Sequence, residues 1–226
     1  VPTAPPAPER PVAFEVTGES SLAAARRLVA AGGGPVAVLN FASARNPGGG
    51  YLNGAQAQEE ALCRGSALHT CLLSAPDFYA VHRADPDPFY SDRVIHSPGV
   101  PVFRDDRGAL LDAPYLAGFL TSAAPNAGVI AQRLPERTGE LPAALASRAE
   151  RVLEVASAQG YRRLVLGAWG CGVFRNDPAQ VAAAFRAPLA EGGRFSPTFD
   201  LAVFAVLDRR EPSPTRNAFA TAFSST

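Results

Sequence analysis

Two adjacent glutamates, Glu59 and Glu60, follow Gln58 and stand seven residues after a glycine triplet, Gly48–Gly50. Carboxylates beside a glycine-rich loop are the parts of a site that holds a charged ligand and moves a proton at a neighbouring bond. Glycine allows positive φ and close approach of backbone to a ligand, and a helix start beside such a loop offers unpaired N–H groups to anions. Successive helical residues point about 100° apart, so Glu59 and Glu60 cannot face one bond from opposite walls. The spacing predicts divided labour: one glutamate donates a proton, the other orients it or a ligand hydroxyl. Ala57, Ala61 and Cys63 are small or apolar neighbours that favour partial burial of Glu60, and burial keeps a carboxyl protonated for acid work. Each feature alone has an ordinary use. Gly32–Gly34 before Pro35 reads as a plain turn, and a glutamate pair is commonly a solvated helix face. Their combination after a strand that ends on Asn40 is what points to a site. A Walker loop is excluded because no Gly-Lys-Ser/Thr follows, and a dinucleotide fingerprint because the glycines are contiguous.

A second glycine loop, Ala168-Trp169-Gly170-Cys171-Gly172-Val173-Phe174, leaves an apolar run at Arg162–Gly167. Its glycines permit a nest of backbone N–H groups suited to a pyrophosphate, with Phe174 lying over a sugar and Trp169 filling the core behind. The plainer alternative is a strand-to-helix turn with a core aromatic. Asn40 and Asn46 flank the first loop, where Asn serves either turn chemistry or ligand contact.

The glycine triplet, the seven-residue spacer and Gln58-Glu59-Glu60, within the words NFASARNPGGG and AQEEALCRGSAL, resemble the signature of the poly(ADP-ribose) glycohydrolases, in their small microbial branch. LGAWGCGVF at Leu166–Phe174 resembles the same family, and the likeness spans roughly Phe14 to Asp208. The resemblance implies a macrodomain-like α/β fold of three layers around a mixed, mostly parallel central sheet. It implies hydrolysis of ribose–ribose O-glycosidic bonds in poly(ADP-ribose), with Glu60 as general acid and then base and Glu59 holding a ribose hydroxyl. Gln58, Asn40, Asn46, Gly48, Gly49 and Gly50 would contact ADP-ribose, as would Gly170, Cys171, Gly172, Val173 and Phe174. Glu19 would accept from the adenine amino group, although an acid there also favours a helix N-terminus. Phe219 or Phe223 would stack on the adenine. Partners would be poly(ADP-ribose), poly(ADP-ribosyl)ated proteins and the product ADP-ribose, with no cofactor. The alternatives are a non-catalytic ADP-ribose-binding module and a hydrolase of another ADP-ribose derivative.

Composition sets the frame. The 226 residues are 47% hydrophobic and carry 21 basic and 21 acidic side chains. That balance gives no overall field toward nucleic acid or membrane, so a polyanion needs a local pocket, and no direct DNA binding is expected. Cys63, Cys71 and Cys171 lack metal-type spacing, and His69, His82 and His96 form no pair, so no metal is expected. Asp85 and Asp87 read as turn formers. No apolar run is long enough to span a membrane, and the expected state is a cytoplasmic monomer. The sequence contains no methionine, so its first residue reads as other than the translated start.

The elements that must position these residues are predicted as follows. Val1–Pro11 is a flexible tail before one catalytic domain at 12–226. Strands fall at Ala13–Val16, Val36–Leu39, Val94–His96, Val100–Phe103, Phe119–Ser122, Arg162–Gly167 and Phe199–Leu207. Helices fall at Leu22–Ala31, Gly54–Leu73, Ala143–Gln159 and from Pro178 to about Ala190, the last capped by Asp177. Phe78–Pro101 reads as irregular, Arg104–Gly108 as a charged surface turn, and Pro212–Thr226 as a polar tail.

Overall fold

The computed structural model describes residues 11–208 and 210–224; the tail predicted at Val1–Pro11 lies, apart from Pro11, outside them. Six strands form one sheet in the order β1-β6-β5-β2-β4-β3. They are β1 (Ala13–Thr17), β2 (Val36–Phe41), β3 (Ile95–Arg104), β4 (Leu110–Ser122), β5 (Arg163–Leu166) and β6 (Leu201–Ala205). Every pairing is parallel except the β3–β4 hairpin. Its turn closes where Gly108 N–H donates to the Asp105 carbonyl at 3.0 Å.

The register alternates between two cores, as side chains on a strand must. Ala37, Leu39, Leu164, Leu166, Ala202 and Phe204 face one cluster with Leu145, Val152, Val181 and Phe185. Val36, Val38, Val165 and Val203 face the other with Leu22, Leu28, Leu62, Leu72 and Tyr79. Helices α1 (Ser21–Ala30), α2 (Gln58–Gly65), α3 (Leu68–Leu73) and α4 (Pro76–Ala84) cover the second face. On the first face lie α6 (Leu141–Ala158), α7 (Pro178–Leu189) and α8 (Pro214–Phe223), while the short α5 (Ala127–Arg133) follows β4. The central strands are buried on both sides, which is why VAVLN and RLVL lack polar alternation.

Several predicted boundaries differ. The strand predicted at Phe119–Ser122 begins at Leu110 as β4, and Ala127–Arg133, for which no element is predicted, is α5. The helix drawn from Gly54 to Leu73 is two, α2 and α3. Ser66 is extended and bridges Val102 of β3, and Ala67 N–H donates to the Pro101 carbonyl at 3.0 Å, so sheet pairing breaks the helical run. Cys63 and Cys71 therefore do not share one helix. The segment read as irregular from Phe78 contains α4, opened by Pro76 in its first turn and burying Phe78, Tyr79 and His82. The two short strands after it are one irregular edge strand, β3, with register shifts between Ser97 and Val100 and between Val102 and Arg104. Pro98 and Pro101 blunt that edge. The stretch read as a polar tail forms α8, capped by Ser213 Oγ accepting from Arg216 N–H at 2.9 Å. Phe223 there stacks on Phe204 with centroids 4.0 Å apart.

Arg148 on α6 ties that helix to the end of β4. It is 3% exposed, donates Nη1–H to the Ala123 carbonyl at 2.8 Å and pairs through Nε with Asp92 at 3.1 Å. Arg148→Met leaves a buried acceptor unpaired and should destabilise by about 1–3 kcal/mol. Urea denaturation checks this: the midpoint falls while the slope is kept.

Candidate active site

Strands β2 and β5 are neighbours, yet the chain after β2 crosses to the α1–α4 face and the chain after β5 to the α6–α8 face. Loops that part in this way open a crevice at the carboxyl ends of the strands. Both glycine loops start there. The Ser122 carbonyl at the end of β4 fastens them together, accepting from Ala42 N–H at 3.2 Å and from Trp169 Nε1–H at 2.9 Å.

The first loop and the start of α2 form one hydrogen-bonded cluster. Glu59, 3% exposed, accepts from Ser43 N–H at 2.7 Å and from Asn40 Nδ2–H at 3.1 Å. Asn40 also donates to Thr121 Oγ1 at 3.1 Å. Glu60, 7% exposed, accepts from Gly50 N–H at 2.8 Å through Oε1. Its Oε2 is buried and has no partner among the described residues. Gly49 has φ 59°, and a Cβ on it would stand 2.5 Å from Glu60 Oε1 and 3.1 Å from Glu59 Oε2. Only a residue without a side chain can lie so close to both carboxylates. Burial pushes the Glu59 carboxyl up to about 8, outweighing the Ser43 and Asn40 hydrogen bonds that favour its ionised form.

Gln58 is committed elsewhere. Its Oε1 accepts from Phe41 N–H at 2.9 Å, and its Nε2 donates to the Leu39 carbonyl at 2.8 Å and to Ser21 Oγ at 3.0 Å. It binds the end of β2 to α1 and so fixes where α2 begins. Asn46 is exposed; its carbonyl accepts from Gly49 N–H at 2.9 Å.

The second loop uses its donors differently. Gly170, at φ 71°, would place a Cβ 2.5 Å from Ala124 Cβ and from Asn176 Nδ2. Asn176 braces the loop by donating to the carbonyls of Pro125 at 2.8 Å and Gly170 at 3.1 Å. Among the described residues nothing accepts from the N–H groups of Gly172, Val173 and Phe174. Successive unpaired N–H groups are the donors from which an anion-binding nest is made. Val173 is 79% exposed, Phe174 is half-buried against Tyr90, and Trp169 fills the core against Phe185. Cys63 lies behind the first loop and Cys171 within the second, and burial pushes both thiols up to about 12.

The adenine candidates stand apart from this cluster. Phe219 is fully buried and packs on Phe204 with centroids 5.5 Å apart, so it presents no face to a ligand, and the stack on Phe204 likewise commits Phe223. Glu19 follows β1, two strands (about 10 Å) from β5, and pairs with Arg27 at 2.7 Å. Asp85 and Asp87 cap their own turns, accepting from Asp87 N–H and Phe89 N–H at 2.9 Å each. Sequence reasoning did not find Ser43, Thr121 or Asn176. Ser43 meets Glu59 16 residues away and Thr121 meets Asn40 81 residues away, while Asn176 joins Pro125, 51 residues away, to Gly170, six residues away. Ser43 and Asn176 lie close enough in sequence to the glycines to be suspected.

Residues 1–105 match the sequence model of the microbial-type PARG catalytic domain, PARG being poly(ADP-ribose) glycohydrolase. Solved structures agree over most of the chain. The poly(ADP-ribose) glycohydrolase of Thermomonospora curvata bound to the inhibitor ADP-HPD is 55% identical, with a TM-score of 0.89 over 94% of this chain and 79% of that one. The Deinococcus radiodurans enzyme in complex with ADP-ribose is 51% identical, with a TM-score of 0.90 over 94% of this chain and 84% of that one. No curated protein sequence matches the chain. Among the described residues no helix is long and apolar enough to cross a membrane.

The Glu59 carboxyl gives the fold a pH signature. Its folded pKa, about 8, lies above the ordinary 4.5, so the folded chain keeps a proton that the unfolded chain releases. The stabilisation is full below about pH 4.5 and is lost as pH rises toward 8. His82 and His96 have lowered pKa values through burial, and their opposing contribution is largely complete by about pH 7. Between pH 7 and 8 the unfolding free energy should therefore fall with pH in the wild type. In Glu59→Gln that slope should vanish, as measured by denaturant titration at each pH.

Proposed function

The chain belongs to the microbial-type poly(ADP-ribose) glycohydrolase family, and from that premise we propose how its residues divide the work of cutting the polymer. The reaction is hydrolysis of the ribose–ribose O-glycosidic bond of poly(ADP-ribose), releasing ADP-ribose. The observation that carries the reading is the asymmetric holding of Glu60: Gly50 N–H fixes Oε1, while Oε2 is buried with no protein partner. Oε2 is the atom to give its proton to the leaving ribose oxygen as the C–O bond breaks. Positive charge then develops at the anomeric carbon. The Glu60 carboxylate next removes a proton from the attacking water, and the new hydroxyl completes the product. One residue changes roles, as an adjacent pair on one helix requires.

Glu59 acts from behind. Both of its oxygens already accept from Asn40 and Ser43, so it holds the loop against α2, and a ribose hydroxyl would share one of those oxygens. Gly49 and Gly50 spend their N–H groups on Asn46 and Glu60. The pyrophosphate therefore falls to the second loop, where Gly172, Val173 and Phe174 offer unpaired donors, and the Phe174 ring walls the ribose. Glu19, freed from Arg27 or shared with it, remains the adenine-side acceptor. The substrates are polymer chains on modified proteins, met by a monomer in the cytoplasm.

Glu60→Gln keeps the contact to Gly50 and removes the transferable proton. Release of ADP-ribose from a polymer-bearing carrier protein should fall by about 10²–10⁴, while calorimetric binding of ADP-ribose is retained. Full turnover in this variant would remove Glu60 from the mechanism.

A further inference from the structure

Tyr90, at φ 59°, and Arg175, at φ 58°, are the two non-glycine residues with left-handed backbone among the described residues. A bulky side chain takes up that region only where its surroundings over-determine it, and such strain gathers at working sites. Phe174 lies between the two. Arg175 follows it in the chain, and the Tyr90 ring stands against its ring with centroids 6.0 Å apart. Behind Tyr90 is His82, edge-on at 5.7 Å and 78°. His82 is 2% exposed, meets Phe78 edge-on at 4.7 Å, and its Nε2 shares a 2.7 Å hydrogen bond with Ser91 Oγ, fixing the residue after Tyr90.

The first turn of α5 registers the two segments against each other. Asn126 N–H donates to the Pro88 carbonyl at 2.9 Å, and Gly128 N–H donates to the Phe174 carbonyl at 2.9 Å. A Cβ on Gly128 would stand 3.2 Å from Arg175 Cδ, so the chain after Phe174 packs closely on the same turn. The Tyr90 hydroxyl has no hydrogen bond among the described residues. What the structure uses at this position is the ring. A turn that needed only left-handed backbone would be served by Gly or Asn.

We propose that Tyr90 is a positioning residue: its ring, backed by His82, holds the Phe174 ring in the attitude that walls the ribose beside Glu60. The inference rests on the reading of Phe174 as that wall. Tyr90 acts through Phe174 alone, so its contribution disappears when the Phe174 ring is absent.

The test is steady-state kinetics on poly(ADP-ribose), with thermal unfolding recorded for every variant. Tyr90→Gly and Tyr90→Asn accept the left-handed backbone without the ring. Both should melt cooperatively, with kcat lowered about tenfold or more by a misplaced wall. Tyr90→Phe should stay within about twofold of the wild type, because the ring is what matters. In a Phe174→Ala background, adding Tyr90→Gly should cost nothing further. Wild-type kcat in Tyr90→Gly overturns the proposal. An equal additional loss in the Phe174→Ala background also overturns it, since Tyr90 would then act independently of Phe174. If Tyr90→Gly does not fold, Tyr90→Asn carries the same comparisons. Wild-type kcat in Phe174→Ala alone would instead remove the ribose-wall reading itself, an outcome read from that single variant.

Discussion

Two carboxyl groups buried at one end of a sheet must be met by N–H donors, and the rest of this site follows from that need. Both side chains are almost wholly withdrawn from solvent, so protein donors have to replace most of their water. Backbone can pass this close to two adjacent carboxyls only where no Cβ intervenes, as at Gly49, which lets the next residue, Gly50, donate to Glu60. The glycine triplet is thus explained first by the enzyme's own acids and only second by a ligand. Gln58 completes the constraint from the other side by joining α2 to the last residues of β2. The positions of loop, strand and helix are then mutually determined.

The two glycine loops consequently do different jobs although they look alike in sequence. One is folded inward on carboxylates, and its donors are largely consumed. The other is braced by Asn176 and the Ser122 carbonyl and leaves three successive donors unpaired among the described residues. The loop that holds the carboxyls and the loop proposed to hold the phosphate sit side by side because β2 and β5 are adjacent and their connections part to opposite faces. The division of labour in the reaction is therefore written in strand order.

Legibility in the sequence tracked how local each determinant was. The buried strands at Val36 and Arg163 showed as unbroken apolar runs, and the cap at Asp177-Pro178 announced α7. The acids and glycines were visible because their spacing along the chain is fixed. Helix α2 was drawn too long because nothing local says that Ser66 pairs with Val102, a partner 36 residues away. Helix α4 was missed because Pro, Asp and aromatic residues read as loop until a core exists for Phe78 and Tyr79 to enter. Phe219 was placed near the adenine on the strength of its position near the C-terminus, whereas the apolar face of α8 belongs to Phe204. The roles of Thr121, Ser122 and Asn176 depend on three strands ending together, which no window of sequence contains.

The cysteines carry a last consequence. Cys63 and Cys171 each lie at a glycine loop, where oxidation of a sulfur would add oxygen atoms beside the backbone of the site. Burial holds both thiols at about 12, so at neutral pH the reactive thiolate is scarcely populated. Peroxide attacks the thiolate rather than the thiol. The two sulfurs at this end of the sheet are therefore held in the form that reacts slowly with peroxide.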